Sequence, residues 1–212
     1  GFWDVSDRPD GVGWRYYRPF ITGIYALAWR AFGDAPRGYH VVNLLAHLGT
    51  VALAARWLIE RFGRDLFAGR RALVGAAALL VFAAHPSRAE SVGWLSGCTD
   101  VWMTFWMLAA HALWHRRGAW RIASYGAAVL AAFSKEGAFL LPALMAADIA
   151  LGASPGDAPS TAPLREPLRP LAPLAAVMLG ALVVRSVLVP EAPLRDGDRK
   201  STRLNSSHLV IS

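Results

Sequence analysis

Residues 120–153, WRIASYGAAVLAAFSKEGAFLLPALMAADIALGA, decide how this chain is folded. As a single helix the block would run about 50 Å at the standard rise, well beyond the roughly 30 Å hydrocarbon layer of a bilayer. Two helices fit instead, Trp120–Phe133 and Gly137–Ala153. The break falls at Ser134-Lys135-Glu136-Gly137, where Gly137 can make the turn. That break is a hairpin tip at a membrane surface. Adjacent helical residues point about 100° apart, so Lys135 and Glu136 cannot satisfy each other as an i, i+4 pair does. Each needs a partner elsewhere in the fold.

The rest of the chain agrees with a membrane setting. Hydrophobic residues make up 55% of it, nine tryptophans are present and the mean hydropathy is +0.33, which together exclude an ordinary soluble domain. The best spanning stretch is Tyr39–Ile59. Shorter apolar blocks follow at Ala72–Ala84, Val101–Trp114, Trp120–Phe133, Gly137–Ala153 and Leu171–Val189, extendable through Arg and Trp at the interfaces. The expected fold class is all-α: a polytopic transmembrane helical bundle of about six spans. The stretch ITGIYALAWRAF (21–32) is amphipathic and too short to span, and reads as a helix lying along the interface. By domain, 1–38 is an outer-face loop with that helix, 39–189 the transmembrane domain, and 190–197 the start of another outer loop.

Basic residues set the orientation. The loops ERFGRDLFAGRR (60–71), HRRGAW with Arg121, and APSTAPLREPLRP (158–170) carry the arginines and read as cytoplasmic. HPSRAESVGWLSGCTD (85–100) and SKEG (134–137) carry fewer and read as outer. The same bias accounts for the net charge of +7 without nucleic acid, and no nucleic-acid motif is present. Cys98 is the single cysteine, which excludes an intrachain disulfide.

Polar residues inside or beside the apolar blocks are the candidates for chemistry. Lys135 reads either as a lysine snorkelling to the headgroups, with Glu136 near a helix start, or as a cation that holds a lipid-linked phosphate while Glu136 orients it. His40, Asn43 and His47 share one helical face that must look into the bundle or a cleft, with interhelical hydrogen bonding the favoured role and a translocation path the rival. The 85–100 loop gathers His85, Arg88, Glu90, Trp94 and Asp100. Asp100 alone reads as a helix cap, whereas His85 with Glu90 could share a proton or a metal. Asp4, Asp7 and Asp10 stand before Trp14, Tyr16, Tyr17 and Arg18.

Both ends look interrupted. The chain opens with Gly1, in mid-loop. Residues 198–212, DRKSTRLNSSHLVIS, read as translated sequencing adapter and are set aside, His208 with them. Lys135 is then the only lysine, since Lys200 falls in that tail.

The segments YYRPF, GYHVVNLLAHLGTVALAARWL, VFAAHPSRAESVGWLSGCTDVW and AAFSKEGAFLLPALMAADIAL, in this order, resemble the membrane region of bacterial relatives of the TMTC proteins. These are transmembrane O-mannosyltransferases with tetratricopeptide repeats, within the GT-C glycosyltransferases that also include the protein O-mannosyltransferases. The resemblance covers Phe2 to about Leu188. It implies transfer of a sugar, with inversion, from a polyprenyl-phosphate donor to a hydroxyl of a protein or glycan acceptor. The active face would be the outer one of a bacterial inner membrane, with membrane lipid as the surrounding partner. No cofactor is required by the pattern, and a divalent metal is compatible with it. In that scheme Asp4, Glu90 and His85 are the catalytic candidates, Arg18, Lys135 and Arg88 hold the lipid phosphate, and Glu136 and Asp100 support them. Relatives usually carry a second histidine where Arg88 stands and a basic residue near Cys98. Their acidic pair would lie upstream of Gly1, so Asp4 stands in for it. The alternative is a polytopic transporter or lipid-handling protein, which would place its charges nearer the midplane.

Overall fold

A computed structural model describes residues 18–62, 69–86, 92–93, 97–116, 118–150 and 169–188, of which the side chains of 61, 62, 70, 71 and 170 are excluded. Nearly all of these belong to one compact unit, Arg18–Val184. The second unit comprises Gly1–Tyr17 and Arg185–Ser212, and only Arg185–Leu188 of it is described. Asp4, Arg88, Glu90, Trp94 and the 198–212 tail lie outside the described residues.

The described residues are helical, with no strand among them. In order they are α1 (Pro19–Phe32), α2 (Pro36–Phe62), α3 (Gly69–Ala84), α4 (Thr99–Trp114), α5 (Ala119–Ala132), α6 (Leu141–Ala150) and α7 (Ala172–Leu188), with short 3-10 turns at Glu136–Leu140 and Arg169–Leu171. The starts and stops have local causes. Pro19 opens α1, where its fixed φ suits the first turn and its missing N–H is no loss. Gly33 closes α1 with φ 55° and hands its N–H to the Trp29 carbonyl. A left-handed residue there lets α2 begin three residues later.

The 120–153 block does divide into two helices, but not by a glycine turn. Gly137 is not among the glycines of positive φ. The break comes from Lys135, whose backbone is extended at φ −158°, ψ 153° between the end of α5 and the 3-10 turn. Gly137 serves packing instead: a Cβ there would stand 3.1 Å from Met103 Sδ on α4. The missing side chain lets the bend sit against α4.

Small residues build the core. Ser124, Ala127, Ala128, Ala131 and Ala132 are buried on α5 and face α4 and α6, where Ala110, Trp114, Leu141 and Met145 are buried with them. Leu171, and Leu174, Met178 and Ala181 of α7, complete this cluster. Alanines at three- and four-residue spacing bring backbones close, which suits helix association where dispersion rather than water expulsion provides the attraction. The Ser124 hydroxyl uses that closeness, donating to the Ala110 carbonyl at 2.8 Å. On the other side of α4, Gly49 of α2 makes room for the Phe105 ring, which a Cβ would meet at 2.7 Å.

The outside is as apolar as the inside. Val41, Leu44, Leu45 and Leu48 on α2 are exposed, as are Leu73, Val74, Leu80 and Val81 on α3 and Leu179, Leu182, Val183 and Val187 on α7. Leu73 alone is 75% exposed. Contiguous rows of this kind are costly in water and ordinary in lipid. By length and composition α2 is long and apolar enough to cross a membrane, over Pro36–Glu60, with only 22% of its apolar window buried. Residues 72–84 and 172–188 form shorter apolar helices, and α4, α5 and α6 have 16, 14 and 10 residues. Helix length among the described residues therefore supports one span, where hydropathy blocks alone suggested six.

Ala128 is fully buried in the cluster that α5 shares with α4. Ala128→Leu should lower the unfolding free energy by about 1–3 kcal/mol through overpacking. An unchanged unfolding midpoint in detergent would contradict this packing.

Candidate functional site

The two charges of the bend take different partners. Lys135 Nζ donates to both carboxylate oxygens of Asp100, at 2.6 and 2.7 Å. Glu136 Oε2 accepts from Arg18 at 3.2 Å. Their divergence follows from geometry: Lys135 is extended and points to the first turn of α4, while Glu136 begins the 3-10 turn. Asp100 is therefore an ion-pair partner rather than the cap assumed from its position. The residue before α4 is Cys98, with no side-chain cap bond.

Aromatic packing places Arg18. Phe20, the second residue of α1, meets Trp102 and Trp106 of α4 edge-on, with ring centroids 5.4 and 5.7 Å away. Phe105 extends the stack, 6.0 Å from Trp102 and 5.0 Å from Trp106. Edge-to-face pairs at these separations are favourable beyond their buried area. They pin the start of α1 across α4, leaving the Arg18 guanidinium beside the bend. Side chains in both ion pairs keep some exposure, so they sit at the margin of the apolar interior rather than within it.

Beside them lies a second polar group. The Tyr25 hydroxyl donates to Cys98 Sγ at 2.7 Å. Burial pushes the Tyr25 phenol well above its ordinary range, and the Cys98 contact adds to this. Burial also raises the Cys98 thiol, more than the Tyr25 bond and the Arg18 charge lower it. Both groups are protonated at neutral pH. Asn43 of α2, 0% exposed, lies close enough to Tyr25 to favour the phenolate slightly, yet its amide is outside hydrogen-bond geometry. Both polar atoms of the Asn43 amide are buried with no hydrogen bond among the described residues.

The other candidates separate. His47 is buried and its Nε2 lies 2.9 Å from the Ala83 carbonyl, which ties α2 to α3. His40, expected on the same inward face, is exposed in the first turns of α2. α1 packs on this turn at Gly38 and Tyr39, through Phe32 and Tyr25, and His40 falls outside that contact. His85, just past the end of α3, is exposed. The structure thus joins Arg18, Glu136, Lys135 and Asp100, and sets beside them Asn43, which the sequence offered for interhelical hydrogen bonding, and Tyr25 and Cys98, which it did not offer as site residues. The advance signal for Asn43 was its buried-face spacing.

Farther along α4, His111 Nε2 lies 3.0 Å from Asp148 Oδ2 of α6, and the His115 ring stacks edge-on to His111 with centroids 4.9 Å apart. These three were also missed. The His-x-x-x-His spacing on a helix was the available signal, since it puts both rings on one face.

Comparison with known proteins gives two relatives. The chain is 33% identical over 100 residues to protein O-mannosyl-transferase Tmtc1 of Drosophila melanogaster, a match covering 47% of this chain and 11% of the relative. It is 31% identical over 94 residues to protein O-mannosyl-transferase F38B6.6 of Caenorhabditis elegans, covering 44% of this chain and 13% of that protein. The matched chain thus spans only a small part of these relatives' length. No family model and no solved structure matches it.

Cys98 is 1% exposed and its thiol is raised, so it should resist a maleimide at pH 7 until the chain is unfolded. Mass spectrometry with and without denaturant checks this, because no other cysteine can react. Rapid labelling of the folded chain would place Cys98 elsewhere.

Proposed function

We propose that this chain is a segment of a multi-pass membrane glycosyltransferase of the GT-C type, which moves a sugar from a polyprenyl-phosphate donor to a hydroxyl of a protein or glycan. The observation that carries the reading is the meeting of Arg18, Glu136, Lys135 and Asp100 at one end of the helices. The similarity to two proteins named O-mannosyl-transferases supports it. The exposed apolar rows on α2, α3 and α7 support a lipid surround.

In this reading the acceptor hydroxyl gives its proton to a carboxylate or imidazole, for which Asp4, Glu90 and His85 are the candidates. Its oxygen then forms the new bond to the sugar carbon. The bond from that carbon to the phosphate oxygen breaks on the opposite face, and the electron pair leaves with the lipid phosphate. Cations placed where that negative charge accumulates lower the barrier. Lys135 has three donors, of which Asp100 takes two, and the third suits a phosphate oxygen. Arg18, steadied by Glu136, supplies a planar fork for the same group. Arg88 is assigned to the phosphate with them. Each carboxylate holds its cation in place beforehand, so less side-chain freedom is lost when the lipid arrives.

The groups that meet here are those the arginine bias assigns to the outer side, which in a bacterium is the periplasmic face of the inner membrane. A transporter would set its ionic groups near the midplane. The gathering of charge at helix ends favours the transferase.

Lys135→Ala in the intact protein should lower turnover of the lipid-linked sugar by about a hundredfold while membrane insertion is unchanged. Turnover at the wild-type rate would remove the phosphate assignment.

A further inference from the structure

We propose that His111, His115 and Asp148 form a zinc-class metal site that clasps α6 to the end of α4, independently of the proposed transferase site. Their potential ligand atoms, one from each residue, all lie within 4.8 Å of one another. His111 lies in the last turn of α4, His115 follows one turn later at the cap, and Asp148 comes from the end of α6. Two imidazoles at four-residue spacing on one helix and a carboxylate from a second are a ligand set that fits zinc, with a fourth position left for water.

The separation of the ligand atoms is close to what a metal requires. Zinc bonds of about 2.0–2.1 Å to nitrogen and oxygen put neighbouring tetrahedral ligands roughly 3.3 Å apart. His111 Nε2 and Asp148 Oδ2 already stand at 3.0 Å, so the ion needs only to part them slightly and draw the His115 ring inward. His115 is exposed and can make that rotation; His111 and Asp148 are half-buried and fix the site. Glu60 of α2, itself held by Arg56 at 2.6 Å, adds a negative field at His115, and the Arg56 charge opposes it.

The site is remote from the ion pairs of the bend. Asp100 and His111 are separated along α4 by eleven residues, about 16 Å of helix. The clasp would act on structure: α6 meets the rest of the core through Leu141 and Met145, and a bond at Asp148 would secure its far end. Because a ligand that binds only the folded chain stabilises it by mass action, zinc should raise the unfolding midpoint.

The test is titration of the purified full chain, without an affinity tag, with zinc chloride against a chromophoric chelator. One equivalent should bind with a dissociation constant in the micromolar range or below. His115→Ala removes an exposed ring and keeps the fold, and should weaken binding about tenfold or more. It should also abolish the zinc-dependent rise in unfolding midpoint. Asp148→Asn should do the same, and His40→Ala, an exposed histidine on α2, should change neither. Cobalt in place of zinc should give the intense visible absorption of a four-coordinate ion. Absence of binding at about 100 µM zinc, unchanged affinity in His115→Ala, or an equal loss in His40→Ala would each overturn the proposal.

Discussion

A charge in an apolar surround must meet its counterpart, and in this chain that requirement organises the helices around one bend. Lys135 and Glu136 are adjacent, so backbone geometry denies them each other. One reaches forward to Asp100 on α4 and the other to Arg18 at the start of α1. Two ion pairs thereby join the bend to both α4 and α1. Side chains that remain partly exposed gain modestly from such pairing, so the pairs do less for stability than the alanine core does. What they determine is placement. Leaving either ammonium or carboxylate unpaired at an apolar margin would cost more than the pair contributes.

The rest of the described bundle serves that placement. Alanines and Ser124 let α5 lie close against α4, and Gly137 lets the bend come down on Met103. Phe20 wedged on Trp102 and Trp106 brings Arg18 across the same helix. Tyr25 and Cys98, both protonated at neutral pH, fill the adjacent space with neutral polar groups rather than further charge. The result is an end with alternating cations and carboxylates beside an aromatic wall. In the proposed function this end receives the anionic headgroup of the lipid-linked donor.

Much of this was legible in the sequence, for identifiable reasons. A block too long to be one helix, with adjacent charges at its centre, announces a break there, and the angle between neighbours announces two separate partners. The partners themselves were out of reach: Arg18 is 118 residues from Glu136 and Asp100 is 35 from Lys135, and only the packing of α1 and α5 on α4 brings them in. The turn at Gly137 was misread because glycine serves close approach as readily as positive φ, and here it serves the former. His40 was misread because periodicity gives the face of a helix without saying which residues of each turn a neighbour covers; at this turn α1 covers Gly38 and Tyr39. His111 and His115 were not singled out, since the third member, Asp148, stands 37 residues from His111 on another helix.

The most direct measurement is a double-mutant cycle on the bend, combining Lys135→Met with Asp100→Asn and reading unfolding free energy in detergent. If pairing organises this end, each single variant strands a charge, and the double variant is less destabilised than the two singles summed, by about 0.5–1 kcal/mol. Strict additivity would mean that the two side chains do not depend on each other, and the account of the bend would be wrong.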